Sequence, residues 1–323
     1  MTRRFRGRSL FCIIVVLLSL LAFQSVLAQE YPAKPVTLVI PLSTGGSHDL
    51  TARAVLTVAK KYFGQPIVIV NKPGGGGAIG TEAVAAAAPD GYTLLMGWPG
   101  SSTTLPAVEG RSKGPDDFVP VCLLNYSTTM IVVRSDLPYK TFGQFIDWTK
   151  ANPGRLIYGT TGVWGNSDVA WKQIAKLTGV SAKVVPYNGG GPVVIAFLGD
   201  QIDATGMAIA PLLSHVRTGK LRILATLGEK REGNFPDIPT ARELGVDVMN
   251  HNWRGIMAPK GTPRPIVDKL ALAFKQMTED KSVIAMIKEQ FGDDMHYKGP
   301  EEFARYWRDE YEAHKELGKL YKK

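Results

Sequence analysis

Short β-branched runs alternate with helix-period segments along most of this chain, and that alternation restricts it to an α/β fold. Val36-Thr-Leu-Val-Ile40 is bounded by prolines and reads as a buried strand. A loop from Pro41 to His48 leads into a helix predicted over 49–63. Leu50, Ala54, Val58 and Tyr62 share its apolar face, and Gly64 ends it. Strands are predicted at 67–70 and 92–96, separated by a helix over 80–88 and the turn Pro89-Asp-Gly91. Crossovers this short imply parallel strands with helices on the sheet faces.

A second set begins at Met130. Strands are predicted at 130–134, 156–158, 183–186 and 221–226, with helices over 141–151, 168–178 and 192–198. The chain is expected to return to the first set near 250–258 and to finish in helices over 265–278, over 280–291 and from 300 onward. Pro265 and Pro300 fit first helical turns, and Gly292 fits a helix end. Phe303, Trp307, Tyr311, His314 and Leu317 make a stripe expected to dock on the first set. The reading is two lobes, residues 29–129 with 255–323 and residues 130–254. Each lobe needs its own core, which a chain with 45% hydrophobic and 21% charged residues can supply.

The first 28 residues read differently. Arg3, Arg4, Arg6 and Arg8 precede an apolar run from Leu10 to Ala22, and Val26 and Ala28 are small residues placed for cleavage. That order is a secretory signal, and the run is short for a membrane span. Cleavage after Ala28 is expected, with a periplasmic or secreted product. Loss of four arginines from a net charge of +9 leaves a mildly basic chain without a Lys/Arg run, which argues against nucleic acid as a partner. Cys122 is then the remaining thiol, and its apolar neighbours mark it as a core residue.

Two segments carry the binding chemistry. In Pro41-Leu-Ser-Thr-Gly-Gly-Ser-His-Asp49 a strand end passes into a helix start. Gly45 and Gly46 permit close approach of a ligand, and unpaired N–H groups with the Ser43, Thr44 and Ser47 hydroxyls suit an anion. Asp49 is expected to orient this loop. The bland alternative is a capped helix with a flexible entry. Tyr158-Gly-Thr-Thr-Gly-Val-Trp-Gly-Asn-Ser-Asp168 repeats the arrangement in the second lobe. Paired loops of this kind suggest a ligand held between lobes, at the carboxyl ends of strands. Gly75-Gly-Gly-Ala-Ile-Gly80 matches the dinucleotide fingerprint formally, but Asn71-Lys-Pro73 separates it from its strand, and close backbone packing is the better reading. His48, His215, His251, His296 and His314 show no metal-ligand spacing, and no catalytic constellation is evident. Trp98, Trp164, Trp171 and Trp253 could line a pocket or fill cores.

These loops sit among further motifs: Tyr31-Pro-Ala-Lys-Pro-Val-Thr37, Val70-Asn-Lys-Pro-Gly-Gly-Gly-Gly77, Pro89-Asp-Gly-Tyr-Thr-Leu-Leu95, Asp117-Phe-Val-Pro-Val121, Ala151-Asn-Pro-Gly154, Val185-Pro-Tyr-Asn-Gly189, Gly219-Lys-Leu-Arg222, Pro236-Asp-Ile-Pro-Thr240 and Trp253 through Pro263. In this order the chain resembles the substrate-binding proteins of tripartite tricarboxylate transporters, the Bug family. The resemblance implies a two-lobed periplasmic binding protein of type II kind, each lobe a mostly parallel sheet flanked by helices. It implies a small carboxylate held in the interlobe cleft and passed to membrane permease subunits. The expected ligand contacts are Leu42, Ser43, Thr44, Gly45, Gly46, Ser47, Asp49, Trp98, Ser101, Thr160, Thr161, Gly162, Val163, Trp164, Asp168 and Met207. Relatives commonly have His near Asp168, an Asp-Asn pair where this chain has Met207-Ala208, and Gly at Trp164. These departures favour an aromatic or partly apolar ligand. No cofactor, metal or enzymatic activity is expected, and the protein is expected to act as a monomer. A periplasmic sensor, or a secreted enzyme on the same fold, is the alternative.

Overall fold

The fold has the same sheet order in both lobes. The computed structural model describes residues 31–321; the expected secretory leader and the cleavage expected after Ala28 lie outside them. From Pro35 onward the described chain forms one compact unit. In chain order its elements begin with β1 (Val36–Ile40), α1 (Ser47–Leu56), α2 (Ala59–Phe63), β2 (Ile67–Asn71), α3 (Ala78–Ala85), β3 (Thr93–Gly97), α4 (Leu105–Glu109) and β4 (Phe118–Thr128). The second lobe follows with β5 (Met130–Arg134), α5 (Phe142–Ala151), β6 (Ile157–Thr160), α6 (Asn166–Thr178), β7 (Lys183–Pro186), α7 (Gly190–Leu198), β8 (Ala204–Met207), α8 (Leu213–Arg217) and β9 (Leu221–Thr226). The chain returns through β10 (His251–Pro259) and ends in α9 (Arg264–Thr278), α10 (Lys281–Phe291) and α11 (Pro300–Tyr321).

The first sheet has the order β2-β1-β3-β10-β4 and the second β7-β6-β8-β5-β9. In each, one strand runs against its neighbours: β10 in the first and β5 in the second. These are the strands that carry the chain from one lobe into the other. Thr129 alone separates β4 from β5. β10 pairs with β4 from His251↔Thr128 onward, so residues 251–254, assigned to the second lobe from sequence, belong to the first sheet.

Local chemistry explains where the predicted elements shift. The helix expected over 49–63 is two helices, because Thr57 turns its hydroxyl onto the Ala54 carbonyl at 2.6 Å and closes α1. β4 contains Pro120, which cannot donate to a ladder. The sheet accommodates it at an irregularity, with Met257 opposite Pro120 and Ile256 opposite Cys122. Cys122 lies in that strand, fully buried.

In the second lobe Ile131 and Val133 face one core cluster while Met130 and Val132 face another, so β5 is buried on both sides. In the first lobe the stripe of α11 docks through Phe303 and Trp307, stacked at 5.9 Å and packed edge-on against Trp253. Gly255 makes room for them: a Cβ there would stand 2.2 Å from the Phe303 ring.

Candidate functional site

The carboxyl ends of β1, β6 and β7 each pass through a glycine-rich turn into a helix, and the three helix starts converge. Gly46 caps α1, Gly165 caps α6 and Gly189 caps α7. The cavity between them is lined by Gly46, Ser47 and His48 from α1, by Asn166 and Ser167 from α6 and by Gly190 from α7, with Leu42, Ser43, Trp98, Thr161, Gly206, Met207, Ala208 and Asn252 completing it. None of these side chains is an acid, a lysine or an arginine. The first N–H groups of a helix have no intrahelical partner and carry the positive end of its dipole. Three such ends around an uncharged cavity are chemically suited to an anion.

The first two helix starts are built alike. Asp49, almost fully buried, accepts from the Gly45 N–H at 3.0 Å and pairs with Arg53 through both oxygens at 2.9 and 3.0 Å. Asp168, equally buried, accepts from the Trp164 N–H at 2.8 Å and pairs with Lys172 at 2.5 Å. Each carboxylate reaches back four residues to fix the turn before its helix. Gly45 has φ 83° and Trp164 has φ 56°, so Trp164 occupies the left-handed position that glycine fills in the first lobe.

The lobes meet closely around the cavity. The Ser43 N–H donates to the Asn188 carbonyl at 3.0 Å. A Cβ on Gly46 would lie 3.1 Å from Gly190 N, and one on Gly191 would lie 2.1 Å from Thr44 O. Glycine on both sides lets the backbones touch. The enclosed space is about 20 Å³, which is room for one water molecule. A space of that size admits a larger ligand only if its walls move.

Of the residues expected from sequence, Leu42, Ser43, Gly46, Ser47, Trp98, Thr161 and Met207 line this cavity. Gly45, Asp49 and Asp168 stand behind it and shape the turns. Thr44 is exposed, its carbonyl beside Gly191. Ser101 is buried on Thr81 at 2.7 Å, away from the cavity lining. Gly162 and Val163 pack on Gly76, which gives the glycine run after β2 its role in backbone packing. Thr160 and Val163 face a separate surface pocket with Trp171 and Lys172.

Trp164 does not line the cavity. It packs with Ala78, Leu105, Val108 and Val169 and lies edge-on to Tyr321 at 5.9 Å. A flat wall beside the ligand was expected of it; its left-handed backbone turns the ring toward the first lobe instead. Met207 and Ala208 do line the cavity, as an apolar wall.

His48, Asn166, Ser167, Gly190, Gly206 and Asn252 were not among the expected contacts, while Ala208 entered only beside Met207 as a departure from relatives. Gly190 had a signal, since Tyr187-Asn-Gly-Gly-Gly191 also joins a strand to a helix. Asn252 had none, because its place depends on β10 crossing between lobes. Burial pushes the His48 imidazole well below its ordinary value, and the Arg254 charge adds to this against the bond to the Trp253 carbonyl. Arg254 is itself fully buried, held by Asn125, Ser127 and Asp293 at 3.0 to 3.3 Å. Among the described residues no group of His, Cys, Asp and Glu side chains is arranged to hold a metal ion, and no helix is long and apolar enough to cross a membrane.

Known proteins share this architecture. The profile of the tripartite tricarboxylate transporter family receptor matches residues 51–321. Protein BugT of Bordetella pertussis is 33% identical over 271 residues, covering 81% of this chain and 82% of BugT. The structure of MatC from Rhodopseudomonas palustris with bound malate superposes with a TM-score of 0.83 at 29% identity, covering 89% of this chain and 100% of that one. An R. palustris protein with adipate superposes with a TM-score of 0.84 at 26% identity, covering 90% of this chain and 98% of that one. A two-lobed fold built on paired glycine-capped helix starts, with these matches along its length, makes the chain a member of the tripartite tricarboxylate transporter receptor family.

Proposed function

We propose that the protein is a periplasmic solute-binding protein that captures a small carboxylate between its lobes and delivers it to the membrane subunits of a tripartite transporter. The observation that carries this reading is the meeting of three helix N-termini around a cavity without charged side chains. An anion bound there is stabilised by up to about 2 kcal/mol per helix end in a partly buried setting. The malate and adipate seen in two similar structures are small carboxylates, in keeping with this chemistry. Met207 and Ala208 favour a ligand with an apolar portion, an aromatic ring included, because a second buried carboxylate against that wall would lack partners. The protein works as a monomer and releases its ligand unchanged.

Isothermal titration of the mature protein with aliphatic and aromatic acids tests this. Saturable one-to-one binding is expected, with the acid recovered intact. Equal binding of the corresponding methyl esters, or turnover of the acid, would overturn it.

A further inference from the structure

We propose that the Thr129 hydroxyl is a positioning group that registers the start of α6, and with it one wall of the cavity, against the line on which the two lobes turn. The proposal concerns the motion and not the ligand, so it stands or falls apart from the carboxylate reading above.

The line is set by strand pairing. Thr128 pairs with His251 in the first sheet, and Met130 pairs with Thr226 in the second. Between these pairs lie Thr129 on the outgoing crossing and Asn250 on the returning one. The Thr129 N–H donates to the Asn250 carbonyl at 3.0 Å, the Leu227 N–H to the Thr129 carbonyl at 2.8 Å, and the Asn250 N–H to the Leu227 carbonyl at 2.8 Å. Both residues are thus fastened to the end of β9 and move with the second lobe. Rotation of one lobe against the other falls on the backbone between 128 and 129 and between 250 and 251.

The Thr129 side chain connects that line to the cavity. Its Oγ1 donates to Asn250 Oδ1 at 2.6 Å and accepts from Asn166 Nδ2 at 2.8 Å. A hydroxyl has one hydrogen, so giving it to Asn250 leaves only the accepting role toward Asn166. All three residues are buried. Asn166 is the first residue of α6 and lines the cavity. Gly206 lines it too, and a Cβ there would stand 3.3 Å from the Thr129 methyl. Other threonines of this chain behave differently. Thr57, Thr149 and Thr178 turn their hydroxyls onto carbonyls three or four residues back. Thr129 instead bonds side chains 37 and 121 residues away. Without the hydroxyl, the buried Asn166 and Asn250 amides each lose a partner, and the start of α6 is no longer fixed to the crossings. The lobes then bring α6 toward α1 in many arrangements rather than one.

The test needs no ligand. Spin labels on Val68→Cys and Val184→Cys report the distance between β2 and β7, the exposed sheet edges remote from the crossings. Cys122 is fully buried and takes no label. Double electron–electron resonance on the mature protein should give narrow, discrete distances. Thr129→Val keeps the shape but removes the hydroxyl, and should at least double the width of the distribution. Thr129→Ser keeps the hydroxyl without the methyl, and should retain the wild-type width. An unchanged width in folded Thr129→Val would overturn the proposal. So would equal broadening in Thr129→Ser, which would assign the effect to packing, or a wild type already as broad as Thr129→Val. Should Thr129→Val not fold, Asn166→Ala cuts the same bond from its other end. It should broaden the distribution likewise, and an unchanged width there would overturn the proposal.

Discussion

The indole N–H of Trp164, in the second lobe, donates to the carboxylate of Glu109, in the first, at 2.5 Å. The same ring is packed on Leu105 and Val108 of the first lobe. It is held there from a left-handed backbone conformation that a tryptophan rarely adopts. Trp164 thus links the lobes at a place away from the cavity.

Trp164→Gly should loosen that link. Glycine relieves the backbone strain, but a buried aromatic ring and its hydrogen bond are lost, for a net cost of about 1–3 kcal/mol. The radius of gyration without ligand should rise, and ligand affinity should fall because less of the protein is closed. Unchanged scattering and an unchanged melting point would show that the ring does not hold the lobes.

Closure also depends on glycines. The Cβ of Gly191→Ala would fall 2.1 Å from Thr44 O, and Gly46→Val would crowd Gly190. Both variants should keep each lobe folded while weakening ligand binding by tenfold or more. Calorimetry beside circular dichroism checks this; full affinity in a folded Gly191→Ala protein would mean the lobes need not touch there.

Much of this architecture is legible in the sequence, for reasons that differ by element. β1 and β5 are short, apolar and rich in β-branched residues, and that composition marks them. The glycine and hydroxyl pattern after β1 and β6 marks two of the three converging helix starts. β8, Ala204-Thr-Gly-Met207, carries no clear strand signal, since Gly206 gives it little side-chain surface. Trp164 was misread because its direction is set by a positive φ, which residue type does not announce. Asn252 and His48 come to line one cavity only after the chain crosses between lobes twice, so no spacing rule connects them.

Asp49 should matter through the turn it fixes. Asp49→Ala leaves the Gly45 N–H without its acceptor and Arg53 without its partner. A loss of about 1–3 kcal/mol is expected, together with weaker ligand binding, while Asp49→Asn should cost less. Urea unfolding of both variants checks the order; equal stability of wild type and Asp49→Ala would remove the residue from the account.

Two groups near α11 set opposing pH limits. Burial lowers His314 to about 4, while an unfolded histidine titrates near 6.5. Its stability is therefore present above 6.5 and lost as pH falls toward 4, by about 2 kcal/mol at pH 5. Glu310 is pushed up to about 7 by burial, against its bonds from Trp253 and Thr103. Its contribution is present below 4.5 and lost as pH rises through 7. His314→Asn should lose less stability than wild type between pH 8 and pH 5, and Glu310→Gln should lose less between pH 5 and pH 8. Parallel pH profiles for variants and wild type would contradict these assignments.

The central claim is that a carboxylate binds where three helix starts meet, and a thermal-shift comparison of one acid with its methyl ester tests it most directly. At a hundredfold excess over the dissociation constant the acid should stabilise the protein by about 2.7 kcal/mol, the ester should have little effect, and Gly46→Val should abolish the acid's shift. An ester that shifts the melting point as much as its acid, or an acid shift that survives in Gly46→Val, would contradict the account.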